Sequence, residues 1–233
     1  MGSVSLWEDV QVCRCSGKEA AGSVGSSESI LRQRPAPLLR RTPGGMRDAW
    51  VEVDLGAYRE NLRRIAARVA PARLCAVVKA NGYGHGMEAV ARAAEEVGVA
   101  MVAVAIPEEG LALRGAGVRA PVLVMGATLP DHAAEIVGAE MTQVVSRPEV
   151  VRALAAAARA TGKSARVHVK VDTGMGRVGV MVSEAVEFCR WCAAQPGIVL
   201  EGVMTHFQTS DEPDRSLSER QLRRFRSLMD PIT

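Results

Sequence analysis

Three short segments combine residue types that do chemistry with spacings that would bring them together. In AVVKANGYGHG a Val-rich run ends on Lys79 and opens into Gly82, Gly84 and Gly86. A lysine at the C-terminal end of a buried strand stands where barrel enzymes keep their catalytic groups. Packing against Val77 and Val78 would favour a neutral amine, the form that attacks a carbonyl to make a Schiff base. The glycines would let backbone approach an anion, and the helix that follows would offer its N-terminus to a phosphate. The same pattern fits a surface lysine beside a flexible turn.

The second segment is RVHVKVDTGMGRVG. Its alternation puts His168, Lys170 and Asp172 on one face of a strand and Val167, Val169 and Val171 on the other. Three ionisable groups in a row suit either a functional interior or a strand edge facing water. The third is GVMTHF, where His206 follows a Val-rich strand; by pattern alone this is a histidine of a site or a satisfied structural one. Cys189 and Cys192 have C-x-x-C spacing, but AVEFCRWCAA reads as a helix, so structural thiols are expected and no metal.

The elements that would position these residues follow from periodicity. After the run WVEVD comes a helix with Leu55, Tyr58, Leu62, Ile65 and Val69 on one face. LCAVVK, VAMVAVA, PVLVMG, MTQVV, RVHVKV and IVLEGVM are short and nearly continuously apolar, as strands buried on both faces should be. Helical stretches such as EAVARAAEEVG and PEVVRALAAAARATG separate most of them, the latter with a capping-box spacing from Ser146 to Glu149. Strand–helix alternation means an α/β fold with a parallel sheet, and pattern alone leaves open a doubly wound sheet or a (β/α)₈ barrel. Such a barrel takes about 250 residues. The 188 residues of 46–233 hold roughly six strand–helix units, so a barrel here would be incomplete.

Residues 1–45 have a different composition, dominated by Ser, Gly, Arg and Pro, and are expected to be a disordered N-terminal extension, with Met46 as the natural start. The extension holds six basic and four acidic residues, so its acids weaken a transit-peptide reading. The whole chain carries a formal charge of only +3, too little to suggest nucleic acid or an anionic membrane as partner. No apolar stretch approaches a membrane span, no secretory signal opens the chain, and five irregularly spaced cysteines suit a reducing compartment. A cytoplasmic protein acting on a small molecule is expected.

The string VVKANGYGHG resembles the pyridoxal 5'-phosphate (PLP) attachment motif of bacterial alanine racemases. The resemblance runs from about Trp50 to the end, through VEVDLGAYRENL, EEGLALRGAGVRAPVLVMG, KVDTGMGRVG, GVMTHF and SDEPDRSLSERQLRRF, in the family's order. It implies a TIM-type (β/α)₈ barrel, here incomplete over 46–233. The family follows that barrel with a β-rich C-terminal domain, absent from this chain, and works as a homodimer with active sites at the subunit interface.

The resemblance also implies roles. Lys79 would be the lysine that holds PLP and the base on the face that handles the D-isomer. Tyr83 would contact the cofactor phosphate, Arg177 would reach its phenolic oxygen, and His206 would stack on the pyridine ring. Lys170 would be the lysine that can be carbamylated to position Arg177; a carbamate would replace a repelling cation with an attracting anion. The implied function is an isomerase that interconverts L-alanine and D-alanine for peptidoglycan, with this chain a truncated form that is inactive alone. The second base of the family, a tyrosine of the partner's C-terminal domain, would lie outside it. The alternatives are another barrel-type PLP enzyme, such as a serine racemase or a basic-amino-acid decarboxylase, a non-catalytic PLP-binding protein, or an α/β binding module without PLP.

Overall fold

The computed structural model describes residues 51–228 and the backbone of the two-residue strand Ser5–Leu6. Apart from that strand, the extension expected at 1–45, with Cys13, Cys15 and Met46, lies outside the described residues. The elements belong to one compact unit, residues 1–12 and 54–233. In chain order they are β1 (Ser5–Leu6), α1 (Leu55–Val69), β2 (Cys75–Val77), α2 (Lys79–Tyr83), α3 (Met87–Val97), β3 (Met101–Val104), α4 (Pro107–Gly115) and β4 (Val122–Val124). A 3-10 turn (Pro130–His132) precedes α5 (Ala133–Gly138), β5 (Thr142–Val145), α6 (Pro148–Thr161), β6 (Ala165–Asp172), β7 (Val180–Met181), α7 (Val182–Ala193), β8 (Ile198–Met204) and α8 (Ser216–Arg226).

Every strand pair is parallel. The sheet order β2-β3-β4-β5-β6-β8 runs in sequence, with β1 on the far side of β8 and β7 attached to the end of β6. A doubly wound sheet would reverse direction at a switch point. This one advances without reversal, which is the order of a barrel wall, and it contributes the six strands that the six apolar runs predict. Among the described residues the sheet does not close on itself. Residues 51–54 of the run WVEVD form no strand and lead directly into α1, whose N-cap Asp54 accepts from the Ala57 amide at 2.9 Å.

The two faces of the sheet separate by residue parity. Val102, Val104, Val122, Val124, Val167, Val169, Val171 and Val203 join the helices in the large core. Cys75, Met101, Ala103, Leu123, Val144 and Met204 form a smaller cluster on the other face, with Val77 and Met125 against it. Both faces are covered, so most of each run is apolar. α6 starts one residue later than a Ser146 cap requires: Pro148 takes the first helical position, Arg147 becomes the N-cap, and Glu149 pairs with Arg147. Cys189 and Cys192 lie buried in α7; burial pushes the first thiol up to about 11, and burial together with Cys189 pushes the second to about 12. No described helix is long and apolar enough to cross a membrane, and the described residues contain no His, Cys, Asp and Glu group able to hold a metal.

Candidate active site

A cavity of about 200 Å³ opens where the strands end, at the C-terminal side of the sheet. β2 brings Val77 and Lys79, β3 is followed by Ala105 and β4 by Met125. β6 carries Lys170 and leads on to Arg177, and β8 is followed by His206. Lys79, Tyr83, Lys170, Arg177 and His206, all five residues singled out from the sequence, line this one cavity.

Lys79 is half-buried, its Nζ 6.0 Å from the centre of the Tyr83 ring. The two flank an unusual turn: Ala80, Asn81, Gly82 and Tyr83 all have φ between 51° and 62°, in the left-handed region. Each non-glycine residue held there costs about 1–2 kcal/mol. The turn therefore needs outside support. Gly82 N–H donates to Val78 O at 2.8 Å, and Asn81 Oδ1 accepts from the Met87 amide at 3.0 Å.

That last bond gives the first amide of α3 a partner within the turn. Gly82, Gly84 and Gly86 do not line the cavity. Gly82 serves the turn: a Cβ there would meet Val90 Cγ2 at 2.9 Å on α3, and its φ of 62° suits glycine.

His168 and Lys170 both point inward along β6. His168 is fully buried and Lys170 only 5% exposed, so the water-facing strand edge is excluded. Asp172 lies at the bend beyond them. Its Oδ1 accepts from the amides of Gly174 and Gly176 at 2.9 and 3.1 Å, and its Oδ2 from that of Arg177 at 3.1 Å. Burial acts to raise the Asp172 pKa, but the N–H groups of Gly176, Gly174, Arg177 and Met175 outweigh it and hold the carboxyl below its usual range. The loop thus folds back so that the exposed Arg177 reaches the cavity.

Behind this loop sits a buried network that the sequence reading missed. Gln221 of α8 is fully buried; its Nε2 donates to Thr173 Oγ1 at 3.2 Å and to His206 O at 2.9 Å, and its Oε1 accepts from the Gln208 amide at 3.0 Å. Thr205 Oγ1 donates to Val171 O at 2.9 Å, so its single proton is committed and Thr173 donates in the 2.7 Å bond between the two hydroxyls. Arg224 adds a bond to Thr173 O at 2.8 Å. Gly126, in the cavity wall, was also missed. A Cβ there would lie 2.2 Å from Ala105 O, so only glycine fits. A glycine after a strand run was the only available signal for it, whereas Gln221 stood in the block SDEPDRSLSERQLRRF with nothing in its polar surroundings to mark it as buried.

The donor set has a plain chemical character. Lys79 and Lys170 carry amines and Arg177 a guanidinium, Tyr83 and Ser210 carry hydroxyls, His206 offers a flat ring, and no described residue lining the cavity is acidic. Such a site suits an anionic carbonyl compound, with an amine to hold it and cations around its oxygens. PLP is a compound of that kind, and these residues fit it.

Residues 53–233 match the family model described as alanine racemase, N-terminal domain. Alanine racemase from Desulfovibrio desulfuricans is 43% identical over 180 residues, covering 77% of this chain and 48% of that protein. Alanine racemase 1 of Bacillus subtilis is 41% identical over 189 residues, covering 80% and 48%. Among solved structures, alanine racemase of Clostridium difficile matches with a TM-score of 0.75 at 32% identity, over 78% of this chain and 48% of that one. The Bacillus anthracis enzyme with bound L-Ala-P matches with a TM-score of 0.73 at 34% identity, over 80% and 48%. The chain spans about half the length of the curated relatives it matches.

Proposed function

The chain belongs to the alanine racemase family by its N-terminal (β/α)₈ barrel domain, and from that premise we propose that it is the cofactor-holding part of a PLP-dependent enzyme interconverting L- and D-alanine. The observation that carries the reading is the convergence of Lys79, Tyr83, Lys170, Arg177 and His206 on one strand-end cavity whose described lining includes no acid. When bound, PLP supplies an aldehyde for a lysine amine and a conjugated ring that takes up the electron pair left when Cα loses its proton.

Lys79 would hold the cofactor and serve as the base for the Cα proton on the D-isomer face. Tyr83 would bind the phosphate, Arg177 the phenolic oxygen, and His206 would offer its ring to the pyridine. Lys170, buried beside this cluster, is proposed to be carbamylated, which would turn its charge from repelling to attracting Arg177. Racemisation also needs a proton donor and acceptor on the opposite face. We assign that group to a tyrosine of a partner subunit in a homodimer, with alanine as substrate, D-alanine for peptidoglycan as product and the cytoplasm as location.

The test is borohydride trapping of PLP on the purified chain followed by peptide mapping. The label is expected on Lys79, and Lys79→Ala should abolish it. A label on Lys163 or Lys170 with Lys79 unmodified would overturn the reading.

A further inference from the structure

We propose that Glu109 is the positioning residue for Lys79, a claim that rests on reading Lys79 as the PLP-holding lysine. Glu109 is the third residue of α4, on a different strand–helix unit from Lys79. Its Oε1 accepts the amide of Ala80 at 2.6 Å, and its Oε2 accepts the amide of Ala105 at 2.8 Å. Ala80 follows Lys79 directly and opens the left-handed turn; Ala105 follows β3 and lines the cavity. One carboxylate therefore ties the start of the strained turn to the neighbouring wall of the site.

The helix end makes this arrangement specific. The N-cap of α4, Ile106, supplies no side-chain cap, and a carboxylate in the first turn suits the helix dipole. In a capping box the third residue would return to the N-cap amide. Glu109 instead reaches one residue further back, to Ala105, and across to Ala80. Glu108 beside it is exposed, and so serves as an internal control with the same charge on the same turn.

The geometry calls for a group with two acceptors and no donor, because two N–H groups from two strand ends converge on it. Glutamine would keep one bond and set an N–H against the other amide. Aspartate, one methylene shorter, would keep the charge but could not span both amides. Without the bond to Ala80 the turn relaxes out of its left-handed conformation, and the directions of Lys79 and Tyr83 at its two ends change together.

Two measurements on the 233-residue chain test this. One is hydrogen–deuterium exchange of the peptide spanning 78–84 without PLP, and the other is the PLP concentration that half-labels Lys79 under borohydride trapping. Glu109→Gln is expected to speed exchange in that peptide about tenfold and to raise the half-labelling concentration about tenfold, as loss of a charge-assisted bond implies. Glu109→Asp should fall between it and wild type, and Glu108→Gln should match wild type in both. If Glu109→Gln does not fold, the aspartate variant carries the comparison. A purely structural role would lower the melting temperature while leaving half-labelling unchanged well below it, and that result overturns the proposal. Unchanged exchange at 78–84 in Glu109→Gln overturns it too. Wild-type chain that takes no PLP at Lys79 instead defeats the reading of Lys79, and the exchange comparison still judges the clamp.

Discussion

At the start of β6, Arg166 and His168 meet Glu201 of β8, whereas at its other end Lys170, and Arg177 beyond it, line a cavity with no acid among its described residues. Arg166 donates to Glu201 Oε1 at 3.0 Å, Thr142 donates to Oε2 at 3.0 Å, and His168 Nε2 lies 3.6 Å from Oε2. One strand thus carries basic side chains set against an acid at its base and basic side chains that line a cavity at its mouth. Charges that meet their complement within the fold serve stability. On the proposed function the groups at the mouth serve binding, and the loop that carries Arg177 is held by other means, here the Asp172 bend and the uncharged Gln221 network.

The comparison predicts a separation between stability and affinity, and the largest effect falls where the two regions are linked. Gln221→Leu strands the Gln208 amide and the His206 carbonyl and takes one of two partners from the Thr173 hydroxyl. At about 1–3 kcal/mol for each stranded group it should cost about 3–5 kcal/mol. Thermal melting should fall by about 10–15 °C for a domain of this size, and PLP binding should weaken with it. A melting temperature within a degree or two of wild type would show that the mouth does not depend on this network.

Next in size is the mouth itself. Arg177→Leu removes an exposed guanidinium whose backbone stays pinned by Asp172, so the melting temperature should stay within about 2 °C of wild type. Affinity for PLP should fall about 10- to 100-fold, the loss of one charge-assisted interaction. Absorbance titration with PLP measures it. Equal affinity, or a loss of stability matching the loss of affinity, would collapse the distinction between mouth and base.

Most of this was legible in the sequence because hydrophobic runs and strand ends carry their own signal. IVLEGVM is β8 residue for residue, and the parity of RVHVKVD sorted its inward from its outward side chains. Sheet order was not legible, since local periodicity says nothing of which strands are neighbours. The same limit hid the roles of Glu109 and Gln221: Glu109 reaches Ala80 across 29 residues and Gln221 reaches its partners across 13 to 48, and the blocks that hold them carry no sign of those contacts. The capping box at Ser146 failed for a local reason, because Pro148 fixes where the helix begins. The partner of the first α3 amide was not legible either, because the Asn81 side chain, six residues earlier, reaches it only through the fold of the turn.

The smallest effect belongs to the base of β6, and its sign follows from Glu201. His168 above all, outweighing burial, which acts the other way, and then Thr142 and Arg166 hold the Glu201 carboxyl at about 2, against an ordinary value near 4.5. A folded value below the unfolded one means that the ionised group stabilises the fold above about pH 4.5, and that this contribution is lost as pH falls from there through about 2. The side chain is 28% exposed, so solvent screening reduces the benefit to about 1–2 kcal/mol. Glu201→Gln keeps a partner for Thr142 but removes the charge. It should therefore be less stable than wild type by about that amount at pH 6, with PLP affinity unchanged. Urea denaturation of both proteins between pH 6 and pH 2 should show the gap closing as acid neutralises the wild-type carboxyl. A gap that persists at pH 2 would mean that Glu201 acts by shape rather than charge. A loss of PLP affinity in this variant would mean that the base and the mouth of the strand are not separate after all.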